Sequence, residues 1–531
     1  MSKRSDYIVY LNQFRLSDCF SCFQRKLLWG RRFWKSSFQR VKMGAVWCNS
    51  WQFLLVRSQH PSLTTLNHVP TSASLGGFSA GAQLAWLSPA VPQLLLNTSY
   101  IGPITIEQAS YFSVITPVAT IASSFFVANA TKVFGRKLVI GFMAIPHIAS
   151  WLLIATAKSI VSLYVARAVN GISDAVNFCA ISVYVGEIAT PTVRGRWGNI
   201  PMCAILLGHL SVVIVANYCD LVTTAYIFLF APLLQLLLIA TVPESPYLLL
   251  MKGRTLDAKL ALEELRWKTD ALEELYDLRR DVQRQISEPG TFRDLFRTPT
   301  NRRALIFIIA IITCQEYSGM SAFIVYSQRI FELAGVKSLS PGESSMIFFA
   351  FLFSFSAIAS LFVGRYPRRI MLTFSSFGCT ISLLISTAFF YIQSETSVDV
   401  GQLNWVPLFG MVSYIVFLTT GLSLLPFLMI GELFSASIKN HAMFVANSYM
   451  ALTMIIVPKL LQLLLAHFPL YAPFLLFTFF SLASTVFCYF FVPETKGKTL
   501  EEIQRLLGTH GRAQEERLIN DSRNEHLPTV D

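Results

Sequence analysis

Two acid–base pairs in the sequence have the residue types and spacing for reversible ion pairing. Glu187 precedes Arg194 by seven residues, and Glu432 precedes Lys439 by seven residues. Each pair lies beside a long stretch with almost no charge. A carboxylate and a cation at the ends of neighbouring helices can bond in one state of a protein and separate in another. This chemistry suits a conformational gate, and no nucleophile–base set that would indicate catalysis accompanies it.

A second signature follows each pair and indicates that the chain is duplicated. It reads VPESP at 242–246 and VPETKG at 492–497, an offset of 250 residues. The preceding acids, Glu187 and Glu432, are offset by 245 residues. An apolar chain repeated at so long a period predicts two membrane bundles, which is the usual architecture of secondary transporters.

Composition supports a membrane protein with many spans. Hydrophobic residues make up 53% of the 531 residues, 43 are phenylalanine, and the mean hydropathy is +0.51. The net charge of +12 comes from residues in the tails and in alternate connections, a pattern typical of membrane topology and not of nucleic-acid binding. The nine cysteines complete no metal-ligand pattern, so we expect no metal, no cofactor and no enzyme.

Apolar stretches of about 20 residues predict twelve transmembrane helices in two six-helix bundles, an all-α membrane protein. The predicted spans are 71–92, 109–131, 138–157, 160–186, 198–217, 223–242, 303–327, 343–363, 370–392, 405–430, 441–465 and 471–492. We expect these domains: a basic N-terminal tail at 1–65, bundles at 71–242 and 303–492, a helical linker at 243–302 and a C-terminal tail at 493–531. The first span is the weakest because its leading half is polar.

Basic residues in alternate connections set the expected orientation. Arg136 follows span two and Arg368 follows span eight, and the positive-inside rule places both, with both termini, in the cytosol. Asn97 then begins a glycosylation sequon in the first outer loop. Residues 1–65 form a basic aromatic segment that fits an anionic leaflet, a disordered tail or a mispredicted gene start, and the sequence leaves these open.

These motifs together resemble the sugar porter family of the major facilitator superfamily, and most closely the insect facilitated trehalose transporters. The resemblance covers about residues 75–505. It rests on the order and spacing of these segments: 135–137, Arg167 with Gly171, 187–195, 243–248, 315–326, 431–434 and 493–497.

The resemblance implies a cytosolic gate built from charged residues of both halves. The residues concerned are Arg136, Glu187, Arg194 and Glu244 in the first half, and Arg368, Arg369, Glu432, Lys439 and Glu494 in the second. Where the family has an acid or an arginine, this chain has Lys132, Gly364 and Lys439, so we expect a weaker gate and a bias toward inward-facing states. Static helix-end charges that only set topology are the alternative.

The resemblance also implies a sugar site in the second half, formed by Gln315, Glu316, Ser321, Tyr326 and Phe427. Glu316 stands where the family has a second glutamine, Ser321 where it has asparagine, and Phe427 where it has tryptophan. The expected pocket is therefore less polar than a hexose site. A disaccharide or polyol held differently, a less polar solute, or weak transport would each fit this composition.

Two acids lie inside predicted spans, Asp174 in span four and Glu316 in span seven. Intramembrane acids are commonly functional, often as proton sites, but local pairing with Arg167, Asn170, Asn177 or a tyrosine is the slightly favoured reason for Asp174. Ser79 stands where proton-linked relatives carry aspartate, which favours facilitated diffusion. We expect a plasma-membrane protein whose partners are a sugar and the bilayer, with a non-transporting sugar sensor or a proton symporter as alternatives.

Overall fold

The structure is a computed structural model, which describes residues 64–96, 99–188, 200–266, 271–287, 290–335, 339–397, 403–498, 502, 503 and 507. Two predicted site residues, Asn97 and Arg194, lie outside these ranges, as does the tail up to residue 63. Contacts group Ser62–Asp531 into one compact unit.

The first half of the described chain makes six helical passes. Their helices are α1 (Thr64–Ala85) and α2 (Leu87–Leu95), α3 (Ile106–Val133), α4 (Arg136–Phe142) and α5 (Ala144–Ala155), α6 (Ile160–Val176) and α7 (Ser182–Ile188), α8 (Ile200–Tyr218), and α9 (Leu221–Phe228) and α10 (Phe230–Leu238). A π turn, Asn177–Ile181, joins α6 to α7, and a short 3-10 turn, Ile239–Thr241, follows α10.

The second half makes six more passes. They consist of α15 (Pro299–Tyr317) and α16 (Met320–Ala334), α17 (Pro341–Phe362), α18 (Arg368–Glu395), α19 (Val406–Thr420) and α20 (Leu425–Leu433), α21 (Ala436–His467), and α22 (Tyr471–Phe490). Span seven is longer than the sequence predicted and breaks at Gly319, whose φ of 103° is a conformation that glycine adopts without steric cost. The described residues thus form the twelve passes that the sequence predicted.

Ten segments of the described chain are long and apolar enough to cross a membrane, and they account for every pass except the first and the fourth. The first pass is interrupted at Trp86, between α1 and α2, and its beginning is polar. The fourth carries Arg167 and Asp174 in its middle. These two passes are the ones that a hydropathy criterion is least suited to find.

Four short helices fill the connection between the halves: α11 (Pro246–Met251), α12 (Thr255–Arg266), α13 (Leu272–Ser287) and α14 (Asp294–Arg297). Apolar residues of α11, α12 and α13, including Leu249, Leu262 and Leu275, form a separate buried cluster, so the linker packs as a small helical layer. We call the end of the bundles that carries this layer the linker side, and the opposite end the far side.

Close helix contacts hold the spans in register. Gly208 of α8 lies against the backbone of Phe78 and Ala82 in α1, and Gly81 lies against the backbone of Ile205. A larger side chain at either glycine would force the two helices apart. Spans one and five are therefore packed backbone to backbone beside the interface with the second bundle.

Candidate functional site

A buried charge cluster lies at the linker side of the first bundle. The Arg136 guanidinium donates to Glu187 Oε1 at 3.0 Å and to the Thr131 carbonyl at 3.0 Å. Glu187 Oε2 accepts the Ser245 hydroxyl at 2.6 Å. Glu244 Oε1 accepts the backbone N–H of Arg136 at 3.1 Å. The cluster ties the ends of spans three and four to the chain that leaves span six.

The second bundle contains an equivalent cluster. The Arg368 guanidinium donates twice to Glu432 Oε1, at 2.9 and 3.2 Å, and once to the Val363 carbonyl at 2.5 Å. Glu432 Oε2 accepts the Thr495 hydroxyl at 2.5 Å. Glu494 Oε1 accepts the backbone N–H of Arg368 at 3.0 Å. Each bond of the first cluster has its counterpart here, so the sequence duplication is also a duplication of hydrogen bonds.

The position of each cluster follows from a helix start. Spans three and nine begin at Arg136 and Arg368, and the first backbone N–H groups of a helix have no partner within it. Glu244 also accepts from the Lys137 N–H at 3.2 Å, and Glu494 from the Arg369 N–H at 3.2 Å. A carboxylate at a helix N-terminus is stabilised by these donors and by the helix dipole. The Arg369 guanidinium donates to the Tyr489 carbonyl.

The structure thus brings together, within each bundle, most of the residues predicted as a gate. Lys439 lies beside Gly431, one residue before Glu432. Sequence reasoning missed Ser245 and Thr495 as partners of the two acids. Their signal was present, because both follow the Pro-Glu step of the duplicated signature at the same offset of 250 residues.

Tyr247 in the linker lies beside the first cluster. Burial, and then the neighbouring Glu187 carboxylate, raise the pKa of Tyr247 to about 12. Both effects disfavour the phenolate.

A cavity lies between the two bundles, midway between the linker side and the far side. In this conformation the cavity is narrow, with a volume of about 60 Å³ that water-sized molecules can enter. Both bundles contribute to its lining, which consists of Ala80, Leu84, Leu87, Ser113, Thr116, Pro117, Thr120, Arg167, Asp174, Asn177, Phe178 and Ile205 from the first, and Ser321, Val325, Ala451 and Met454 from the second. The charged and amide groups of this lining all come from the first bundle.

Arg167 and Asp174 lie on the same face of α6, seven residues apart. The buried Arg167 guanidinium donates to the Gln83 carbonyl at 2.8 Å and to the Phe112 carbonyl at 3.4 Å. Asn170 donates to Asp174 Oδ2 at 3.0 Å, whereas Asp174 Oδ1 is shielded from solvent and has no partner among the described residues. The local pairing considered for Asp174 thus satisfies one of its two oxygens.

Of the five residues predicted to bind a sugar, Ser321 lines this cavity. Gln315 and Glu316 are buried at the end of α15, and the Gln315 amide donates to Met320 Sδ at 3.2 Å. Tyr326 is buried at a kink in α16, and Phe427 packs against the main hydrophobic core, to which both bundles contribute. These four residues lie outside the lining of the cavity.

Buried serines connect the two bundles on the far side of the cavity. Ser88 of span one lies 2.7 Å from Ser327 of span seven and 3.4 Å from Ser345 of span eight, and Ser327 lies 2.7 Å from Ser345. The backbone N–H of Gln328 also donates to Ser88 Oγ at 3.3 Å. Exchangeable hydroxyl bonds of this kind can form and separate as two bundles move.

Lys459 forms a second far-side contact between the bundles. Its ammonium donates to Ser110 Oγ at 2.6 Å and lies 5.0 Å from the centre of the Tyr111 ring. Gln462, one turn further along α21, donates to the Ile106 carbonyl at 2.7 Å. These bonds tie span eleven to the start of span two. The far side is therefore closed in this structure.

The π turn in span four carries a further contact across the interface. Asn447 of span eleven donates to the backbone carbonyl of Phe178, at 3.3 Å. A π turn leaves carbonyls that the regular helical pattern would have used, so they are available to outside donors. The turn thus combines a cavity-lining segment with a bond to the other bundle.

Two six-helix bundles around a central cavity are the architecture of the major facilitator fold. The fold matches the solved structure of the proton:xylose symporter XylE bound to 6-bromo-6-deoxy-D-glucose, with a TM-score of 0.69 and 21% identity, over 84% of this chain and 100% of that chain. The inward-open xylose transporter XylE from E. coli has a TM-score of 0.67 and 19% identity, over 82% and 99%.

Sequence comparison identifies the family. Residues 71–507 match the family described as "Sugar (and other) transporter", and the chain belongs to it. It is 30% identical over 438 residues to the facilitated trehalose transporter Tret1 of Culex quinquefasciatus, covering 82% of this chain and 84% of that protein. The Polypedilum vanderplanki Tret1 is also 30% identical over 438 residues, covering 82% and 86%. The predicted fold and transporter class are confirmed, and the chain belongs to a family of transporters, not enzymes.

Proposed function

We propose that this protein carries a sugar, trehalose or a hexose, down its concentration gradient by alternating access. The observation that carries the proposal is the cavity lined by both bundles and closed on the far side by Ser88, Ser327 and Ser345. A solute held between two bundles is released on one side or the other when the bundles rock. The trehalose transporters among its relatives support the choice of solute.

The two charge clusters supply the rigid parts of this movement. Arg136 with Glu187 and Arg368 with Glu432 bond helices within one bundle, so each bundle moves as a unit. Their location at the linker side makes them the surfaces that meet when that side closes. The gating roles of Arg194 and Lys439, and the sugar-binding roles of Gln315, Glu316, Ser321, Tyr326 and Phe427, remain part of this proposal.

Facilitated diffusion is the proposed mode because Ser79, which is buried and uncharged, stands at the position of span one where proton-linked relatives carry aspartate. Proton coupling has support from the acids Asp174 and Glu316 inside the bundles. Uptake in proteoliposomes that contain a pH-sensitive dye separates the two modes. Sugar entry without acidification supports facilitated diffusion, and acidification in proportion to sugar entry would replace it by symport.

We place the protein in the plasma membrane with both termini, and hence the linker side, in the cytosol. Basic residues at that side, such as Arg136 and Arg368, support this orientation. It exposes the sequon at Asn97 to the glycosylation machinery. Loss of a glycosidase-sensitive mass shift in Asn97→Gln supports the orientation, whereas labelling of a C-terminal tag on intact cells contradicts it.

Uptake of labelled trehalose and glucose into oocytes tests the transport function. Surface-expressed protein should accelerate uptake until the inner concentration equals the outer one, because the proposed carrier has no driving ion. Protein at the surface without flux would indicate the sensor alternative. A competition panel of unlabelled sugars in the same assay identifies the preferred solute.

A further inference from the structure

Three hydroxyl groups of the cavity wall formed by the first bundle are hydrogen-bond acceptors, beside the donors Arg167 and Asn177. The hydroxyls of Ser113, Thr116 and Thr120 donate to backbone carbonyls, those of Ser110, Arg167 and Thr116, at 2.8 to 3.0 Å. Their hydrogens are therefore committed, and lone pairs are what these oxygens can offer to the cavity. All three hydroxyls lie on span two, and the Thr116 hydroxyl donates to span four.

Asp174 adds the strongest acceptor to the same wall. Its Oδ2 accepts from Asn170 at 3.0 Å, and its Oδ1 is shielded from solvent with no partner among the described residues. The guanidinium of Arg167 is held by carbonyls of spans one and two instead. Shielded polar atoms without a partner are uncommon, and a carboxylate oxygen costs more to leave unpaired than a neutral one.

We infer that Asp174 is a specificity-determining residue, whose Oδ1, shielded in this conformation, accepts a hydrogen bond from a hydroxyl group of a neutral polyol when movement of the bundles exposes it to the cavity. The inference rests on the proposed function and adds a residue of the first bundle to solute recognition. These acceptors suit a solute rich in donors, and a polyol carries one on each hydroxyl. Arg167 on the same wall offsets the Asp174 charge, which favours a neutral solute over a cationic one.

Solute binding to the purified full-length protein tests the role of Asp174 without requiring transport. Thermal unfolding is followed against increasing glucose, 2-deoxyglucose, trehalose and glucosamine. Asp174→Asn should raise the Kd for glucose or trehalose about 10-fold or more, because the charge-assisted hydrogen bond is lost. Glu395→Gln, which removes an exposed carboxylate from the far end of α18, should leave the Kd unchanged.

A second variant pair covers the case in which Asp174→Asn does not fold. Ser113→Ala removes a back-bonded hydroxyl from the cavity wall, and Ser211→Ala removes one from α8, where the Ser211 hydroxyl donates to the Leu207 carbonyl at 2.7 Å outside the lining. Loss of one neutral acceptor should raise the Kd roughly 5-fold for Ser113→Ala. Ser211→Ala should bind like the wild type.

The outcomes separate recognition from a structural role and from transport. If Asp174 and Ser113 bind solute hydroxyls, the wild type should bind glucose more tightly than 2-deoxyglucose. Asp174→Asn or Ser113→Ala should then bring the two Kd values closer together. An unchanged ratio, unchanged Kd values, or tighter binding of glucosamine than of glucose overturns the inference. Binding that depends on Asp174, without sugar uptake in oocytes, contradicts the proposed transport but not the role of Asp174. A wild-type protein that binds none of these sugars contradicts both the proposed function and the role of Asp174.

Discussion

The ion pair between Arg136 and Glu187 should contribute far more to stability than an exposed pair in the same chain. Their side chains are 9% and 12% exposed, whereas those of Arg254 and Asp257, which are 2.7 Å apart, are 61% and 45% exposed. Removing one partner of a buried pair leaves an uncompensated charge and costs about 3–5 kcal/mol. Exposed pairs contribute about 0.2–1 kcal/mol because water screens them.

A double-mutant cycle measures this difference. Arg136→Gln and Glu187→Gln should each lower the free energy of unfolding by about 3 kcal/mol, the lower end of the range for a buried pair, because the Ser245 hydroxyl or the Thr131 carbonyl still binds the remaining charge. The double variant leaves no unpaired charge, so its loss should fall short of the sum by about 2 kcal/mol or more. The assay is equilibrium unfolding in mixed micelles.

The pair Arg254–Asp257 is the matched control, and its cycle should give a coupling below about 0.5 kcal/mol. The cycle of Arg368 and Glu432 should lie between the two, since Glu432 is 24% exposed but accepts two bonds from one guanidinium. Additive losses of stability at Arg136 and Glu187, or a coupling energy no larger than that of the exposed pair, would refute the argument that burial strengthens this ion pair.

Two further predictions concern the far side and the helix contacts. Lys459→Met should loosen far-side closure, since it removes the bond to Ser110 and the contact with the Tyr111 ring. In a Leu84→Cys background, this change should raise the reactivity of the cavity cysteine with an impermeant thiol reagent about 5-fold or more. Reactivity no higher than with the control change Lys158→Met would contradict the prediction. Gly208→Leu should destabilise the protein by about 3 kcal/mol or more, because the new side chain meets the backbone of α1. Gly364→Leu, which adds a side chain where no atom lies within 4 Å, is the control in the same unfolding assay.

The sequence was sufficient to predict the passes and most members of the charge clusters, because the duplication marks equivalent charged positions in the two halves. The ion-pair partners were predicted less well, since the seven-residue spacing paired Glu187 with Arg194, whereas the structure pairs it with Arg136. The first and fourth passes, which fall short of the length and hydropathy needed to cross a membrane, were still predicted from the mainly apolar stretches at 71–92 and 160–186. The amino-acid composition did not predict two local features: the interruption of span one at Trp86 and the π turn in span four.

The cavity lining was predicted less well, because it depends on how each helix is rotated. Gln315 and Ser321 are both polar and lie on consecutive helices of span seven, yet only Ser321 lines the cavity. A break at Gly319 separates them and resets the rotation. The sequence identified Arg167 as part of the family resemblance. Its hydrogen bonds to the carbonyls of Gln83 and Phe112 could not be predicted, because the sequence does not show which helices contact each other.

The π turn at Asn177–Ile181 also preserves the angular phase between the two halves of span four. A π turn closes over one residue more than an α turn, so it absorbs a one-residue insertion in the helix. Deleting one residue there would convert the π turn to an α turn, because the residues of a π turn sweep about the same angle as one residue fewer in an α-helix. Asp174 would stay on the cavity face, and Glu187 would stay on the face that meets Arg136. The extra residue therefore frees a carbonyl for the bond from Asn447 without changing which faces of span four serve the cavity and the linker-side cluster.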